Sequence, residues 1–301
     1  MKLHGIFPPL TTPFNPDGSL ALDRLRQNIS RYNRTRLAGY VVIGSTGESV
    51  LLRRDEIERI WDAAREAASP DKLLIAGTGT DSTEETIDRT NRAASLGYKA
   101  ALVKTPHYYK PQMTPNAIAE HYLRVADAAI IPLLIYSVPQ FTGVAVEAPL
   151  VARLARHSNI IGIKESSGNV QRVSEIISAT PPEFQTLVGS ASTLYVSLAA
   201  GAVGGILGLA CVLPELCVEL WQLARAGDAD RALALQRRLL DPARTIVSDL
   251  GVPGIKYAMD RVGYFGGPAR RPFLPLTDDE RASIDSLLAS LVPASAPAVN
   301  S

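Results

Sequence analysis

Cysteine, histidine and net charge are all scarce in this chain: 301 residues carry two cysteines, four histidines and a formal net charge of +1. Cys211 and Cys217 lie in one apolar region, too few for a disulfide scaffold and most simply core residues of a reduced protein. His4, His107, His121 and His157 show no ligand spacing, which argues against a zinc site and against metal-assisted aldol chemistry. Lysine and arginine (31) nearly balance aspartate and glutamate (30), so there is no basic footprint for nucleic acid. The opening Met1-Lys2-Leu3-His4-Gly5 lacks the apolar centre of an export signal, and a cytoplasmic protein is expected. Charge is also missing from 184–214, of which 194–213 is long enough to span a bilayer. Gly201, Gly204, Gly205 and Gly208 interrupt it. It reads instead as strand, short helix and strand of a buried parallel sheet, and no membrane span is expected.

What the chain has in quantity is apolar residues, 46% of the total, arranged in short runs. Runs of strand length recur at 5–7, 39–43, 73–77, 100–103, 132–136, 160–164, 186–189 and 203–207, separated by segments of helical periodicity. In 54–68, for example, Ile57, Ile60, Trp61, Ala64 and Ala67 share a face and charges fill the other. Strands alternating with helices mean βαβ units and a parallel sheet, and units of roughly 25 to 35 residues predict a closed (β/α)8 TIM barrel over 1–226. An open doubly wound sheet competes with it, but its dinucleotide turn needs glycines where this chain has Pro8-Pro9-Leu10-Thr11-Thr12-Pro13. After Gly227-Asp228, helical segments near 229–240, 243–250, 254–262 and 278–291 predict a C-terminal helical appendage over 227–291. The tail 292–301, made of Pro, Ala, Ser, Val and Asn, is expected to be disordered.

One apolar run, Ile160-Ile161-Gly162-Ile163, ends abruptly in Lys164. An ordinary lysine amine is unprotonated in only about one molecule in a few thousand at neutral pH, whereas burial disfavours the ammonium form and frees the lone pair for a Schiff base with a carbonyl. The plainer alternative is a lysine whose stem lies on apolar surface and whose head reaches water. Active sites of TIM barrels lie at the C-terminal ends of the strands, so the other strand ends become candidates. Strand two ends in Gly44-Ser45-Thr46-Gly47-Glu48, whose hydroxyls and amides suit a small carboxylate or simply make a turn. Strand four ends in Thr105-Pro106-His107-Tyr108-Tyr109 and strand five in Tyr136-Ser137-Val138-Pro139. A phenol beside an amine suits proton transfer, although tyrosines at strand ends also pack with one wet end. Gly189-Ser190 and Gly204-Gly205-Ile206 let a ligand approach the backbone; a phosphate site there would want a cation nearby, and none is close in sequence.

Three of these motifs, in this order, resemble the pyruvate-dependent class I aldolases and lyases related to dihydrodipicolinate synthase and N-acetylneuraminate lyase, and the resemblance runs along nearly the whole chain. They are Gly44-Ser45-Thr46-Gly47-Glu48, Tyr136-Ser137-Val138-Pro139 and Gly162-Ile163-Lys164-Glu165-Ser166. The resemblance implies that Lys164 forms an imine with pyruvate or another 2-oxo acid and that Ser45 and Thr46 hold its carboxylate. It implies that Tyr136 shuttles protons with Thr46 and Tyr109 in the relay, and that backbone at Gly189 and Ile206 faces the lysine and substrate. It further implies no metal, no organic cofactor, an aldehyde as second partner, and a homo-oligomer, dimer or tetramer, in which Tyr109 reaches a neighbouring subunit's site.

The sequence departs from the resemblance at Phe141. Dihydrodipicolinate synthases carry there an arginine that grips the aspartate semialdehyde carboxylate, and an apolar ring cannot replace a bidentate guanidinium. Gly251-Val252-Pro253-Gly254-Ile255-Lys256 and Gly263-Tyr264-Phe265-Gly266-Gly267-Pro268 look more like the 4-hydroxy-2-oxoglutarate aldolases. The expected activity is therefore cleavage of 4-hydroxy-2-oxoglutarate to pyruvate and glyoxylate. The alternatives are dihydrodipicolinate synthase, which condenses pyruvate with aspartate semialdehyde, a sugar-acid lyase or dehydratase, and a pyruvate-binding sensor without turnover. Gln140, Phe141, His107 and Lys110 are the candidates for recognising the distal end of the substrate.

Overall fold

The computed structural model describes residues 1–291, so the tail expected to be disordered lies outside the described residues. Eight parallel strands form the sheet: β1 (Gly5–Phe7), β2 (Gly39–Val42), β3 (Leu73–Gly77), β4 (Ala100–Lys104), β5 (Leu133–Ser137), β6 (Ile160–Glu165), β7 (Gln185–Val188) and β8 (Gly204–Ile206). Around them run α1 (Leu22–Tyr32), α2 (Arg54–Ala67), α3 (Thr83–Ser95), α4 (Pro115–Ala128), α5 (Pro139–Thr142), α6 (Ala148–Leu154), α7 (Val170–Ala179), α8 (Leu194–Ala199) and α9 (Pro214–Ala226). The sheet order is β1-β8-β7-β6-β5-β4-β3-β2. It closes because the chain around β1 bonds that around β2: Ala38 N donates to Ile6 O at 3.0 Å, Val41 N to Pro8 O at 3.1 Å and Leu10 N to Val41 O at 2.8 Å. The fold is the TIM barrel expected from the spacing of the runs.

Strand alternation sorts the side chains. Phe7, Val41, Ile75, Leu102, Leu134, Leu187 and Ile206 point inward and fill the barrel, while Val42, Ala76, Val103, Ile135, Ile163 and Val188 pack outward under the helices. The strand ends differ from the apolar runs by a residue or so. β4 continues to Lys104 and β6 to Glu165, because ladder hydrogen bonds do not depend on side-chain polarity. β2 stops at Val42, because Ile43 turns into the left-handed region at φ 65°. The uncharged stretch resolves into β7, α8 and β8, and among the described residues no helix is long and apolar enough to cross a membrane.

Beyond Gly227 follow α10 (Ala229–Pro242), α11 (Gly251–Arg261) and α12 (Asp278–Ala289). The segment expected to be helical near 243–250 is helical, as a π-helix, Ala243–Asp249, with Leu250 N reaching Thr245 O at 3.1 Å. Pro242 has no N–H to continue the preceding ladder, and the wider turn follows from that lapse. Ala232, Leu235, Leu239, Ile246, Ile255, Met259 and Ile284 of this region join the same buried cluster as the barrel's outer layer.

Candidate active site

Three adjacent strands put Lys104, Tyr136 and Lys164 in one register row, since Lys104 on β4 pairs with Tyr136 on β5 and Tyr136 with Lys164 on β6. All three share the inward parity of Leu102 and Leu134. Lys164 is 5% exposed, and its Nζ sits 4.2 Å from the centroid of the Tyr136 ring. Buried amine and phenol are thus in contact. On its other side the Tyr136 hydroxyl lies 3.3 Å from Ser45 Oγ, so the three sequence motifs meet at one point. Glu165 points outward by the same alternation. Its carboxylate accepts Ser167 N–H at 3.1 Å and lies 3.9 Å from Arg172, and burial, only partly opposed by these partners, raises it above the usual carboxylate range.

The loop that carries Ser45 is held in an unfavourable backbone. Ile43 and Glu48, on either side of it, have φ 65° and φ 58°, a region that side-chain-bearing residues enter at a cost on the order of 1–3 kcal/mol. Thr12 Oγ1 donates to Gly47 O at 2.7 Å from within. From without, the fully buried Glu48 carboxylate forms an ion pair with Lys256 Nζ at 2.6 Å and accepts Arg270 N–H at 2.7 Å. Burial pulls Lys256 below the usual lysine range while Glu48 draws it back up. Arg270 in turn grips Glu56 through both nitrogens, at 2.7 and 2.8 Å. The C-terminal region therefore clamps the Ser45 loop, a role that sequence reading missed. Its signal was a lysine in the otherwise apolar Pro253-Gly254-Ile255-Lys256-Tyr257-Ala258.

The remaining expected residues divide. Gly189 lies just past β7, its N–H donating to Glu165 O at 2.7 Å, and a Cβ there would run into the Ser166 side chain. Ile206 ends β8 facing the barrel interior. Thr46 is half-buried in the same turn as Ser45. Tyr109 is not brought in: it is 67% exposed, stacked edge-on against Tyr108 at 5.0 Å on the loop after β4. Of the distal candidates, Phe141 is 68% exposed, Gln140 donates its side-chain amide to Ser166 O at 2.9 Å, and the Lys110 ammonium packs beside Gly143. His107 Nδ1 lies 3.4 Å from Lys104 Nζ and 3.3 Å from the Asp81 carboxylate, two residues that line a cavity.

That cavity, of about 270 Å³, opens beside Tyr136 at the C-terminal ends of β2 to β5. Ser45, Tyr136, Lys104, Asp81, Thr80 and Arg89 supply its polar wall. Lys164 does not line it; its Nζ meets the ring of Tyr136, which does. The arrangement joins a buried amine, a phenol within reach of a hydroxyl, and an adjoining chamber large enough for a small organic acid.

Comparison with known proteins bears on the family and the fold. A curated 4-hydroxy-tetrahydrodipicolinate synthase of Methanothrix thermoacetophila is 36% identical over 288 residues, which cover 95% of this chain and 96% of that one. The crystal structure of a dihydrodipicolinate synthase from Bacillus anthracis superposes with a TM-score of 0.92 at 27% identity, covering 97% of this chain and 99% of that one. A dihydrodipicolinate synthase of Acinetobacter baumannii, solved in complex with pyruvate, gives 0.91 at 29% identity over 95% and 98%. The profile of the dihydrodipicolinate synthetase family matches residues 2–291, and the chain belongs to that family.

Proposed function

We propose that the chain is a Schiff-base enzyme that joins pyruvate to an aldehyde or runs the same bond in reverse. The observation that carries the reading is the contact series Ser45, Tyr136, Lys164 at the strand ends. The Lys164 amine adds to the 2-oxo carbon of pyruvate, and loss of the carbinolamine hydroxyl as water, with one proton taken up from solvent, leaves a protonated imine that acts as an electron sink. The Tyr136 hydroxyl relays a proton away from the methyl carbon, taking it up as its own proton passes on through Ser45 to solvent, to give the enamine, which attacks the aldehyde carbon; the new alkoxide takes a proton back through the same relay. Hydrolysis of the imine restores Lys164.

Two aldehydes compete. The names of the relatives support aspartate semialdehyde, the partner used in 4-hydroxy-tetrahydrodipicolinate synthesis, and we take that condensation as the leading reading over the aldolase expected from sequence. Cleavage of 4-hydroxy-2-oxoglutarate is the second reading, and Phe141 is the observation in its favour. Borohydride reduction in the presence of pyruvate is expected to leave a stable secondary amine on Lys164, located by peptide mass spectrometry, and none in Lys164→Ala. Full turnover by Lys164→Ala would sink the mechanism. Parallel assays of aspartate semialdehyde condensation and of pyruvate release from 4-hydroxy-2-oxoglutarate decide between the two partners.

A further inference from the structure

We propose that Lys104 is the cation that receives a carboxylate on the aldehyde partner, which makes it a specificity residue for the reaction proposed above and dependent on that reading. Both candidate aldehydes, aspartate semialdehyde and glyoxylate, carry such a carboxylate, and Phe141 offers it nothing. Lys104 ends β4 facing the barrel interior, and its side chain is 13% exposed on the wall of the cavity that Ser45 and Tyr136 also line. Neighbouring strands lie about 4.8 Å apart, so the Cα atoms of Lys104 and Lys164, two strands apart in one register row, are separated by roughly 10 Å. A short dicarboxylate fastened at Lys164 through its 2-carbon reaches across Tyr136 toward the second lysine.

The surroundings leave the Lys104 charge largely unspent. Its nearest carboxylate oxygen, Asp81 Oδ2, is 3.9 Å away, beyond hydrogen-bond distance, while Asp81 Oδ1 accepts the backbone N–H groups of His107 at 2.6 Å and Tyr108 at 2.9 Å. Arg89, the other cation on the cavity wall, is paired with Glu85 at 2.7 Å. The remaining close partner of Lys104 is His107 Nδ1 at 3.4 Å. An ammonium has three donors and no acceptor, so Lys104 can still turn N–H groups into the cavity. Burial lowers its pKa from the ordinary value, a penalty that an incoming carboxylate relieves. Gly79 lets this strand end sit where it does, since a Cβ there would collide with the Lys104 backbone.

The test compares each carboxylate-bearing aldehyde with an uncharged replacement of that group: aspartate semialdehyde against 3-aminopropanal, with hydrogen in its place, and glyoxylate against acetaldehyde, with methyl in its place, each with pyruvate. In Lys104→Met, kcat/KM for the carboxylate-bearing member of the productive pair should fall about 10- to 100-fold, the loss expected for one charged hydrogen bond. The analogue should change less than about twofold, and Lys104→Arg should restore part of the preference. Borohydride trapping of pyruvate on Lys164 should be the same in Lys104→Met as in the native enzyme, which shows the site folded. Equal loss on both members, no loss on either, or a native enzyme indifferent to the carboxylate overturns the assignment. Absent trapping in the native enzyme would instead overturn the Schiff-base reading itself.

Discussion

Exchanging the Tyr136 hydroxyl for hydrogen deletes the atom that touches Ser45 and leaves the ring on which Lys164 rests. Tyr136→Phe should therefore keep imine formation, read by borohydride trapping, while turnover falls about 10²- to 10⁴-fold, the usual worth of a positioned acid or base. Loss of trapping together with turnover would mean that the phenol acts earlier, on Lys164 itself. A second residue makes a prediction about pH. Burial, with the nearby Lys104 cation adding to it and Asp81 opposing, lowers His121 to about 4, and its Nδ1 meets Thr83 Oγ1 at 2.9 Å. Its folded pKa lies below the ordinary 6.5, so the unfolded chain binds a proton that the folded chain refuses. The stability this contributes is complete above pH 6.5 and is lost as pH falls toward 4, amounting to about 2 kcal/mol lost at pH 5. Urea midpoints at pH 7.5 and pH 5 should differ less for His121→Gln than for the native chain; an unchanged difference would assign the acid sensitivity to other groups.

At the scale of elements, the clamp on the Ser45 loop is the feature that contact chemistry makes testable. Lys256→Met leaves the Glu48 carboxylate buried without its cation, a change that costs about 3–5 kcal/mol in comparable pairs. Because Glu48 flanks the loop in a left-handed conformation, the variant should also raise the KM for pyruvate; pairing it with Glu48→Gln should recover part of the stability, and a purely additive double variant would argue against the pair. The strands themselves were legible, since each apolar run became one within a residue or two of its expected limits. Lys104 was as visible as Lys164, an apolar run ending in lysine, yet the run was read as stopping at Val103. The clamp was not legible in the same way: it joins residues far apart in the chain, and the left-handed turn at Ile43 contradicts what a β-branched residue prefers. Tyr109 marks the other limit, because a role drawn from resemblance to an oligomer leaves that side chain on the surface of a single chain.

Across the whole molecule, the appendage and the barrel share one core. Leu235, Leu239, Ile246, Ile255 and Met259 pack into the cluster that holds Leu209, Ala210 and Cys211 beside β8. Buried Gln236 adds a polar tie, accepting Tyr195 N–H at 2.8 Å and donating to Ala191 O at 3.0 Å just past β7. Each fully buried leucine or isoleucine is worth about 1.5–3 kcal/mol, so removing the appendage subtracts far more than a domain's usual margin of stability. It also strips Glu48 of Lys256 and Glu56 of Arg270. A chain ending at Gly227 should accordingly fail to give a soluble native barrel. In the full chain, tryptophan fluorescence follows Trp61 on α2 and Trp221 on α9, both in the barrel, whereas far-UV circular dichroism also counts the appendage helices. The two signals should lose native structure at the same urea concentration. An early dichroism change with fluorescence intact would mean that the appendage melts alone, and with it the premise that the Ser45 loop depends on the far end of the chain.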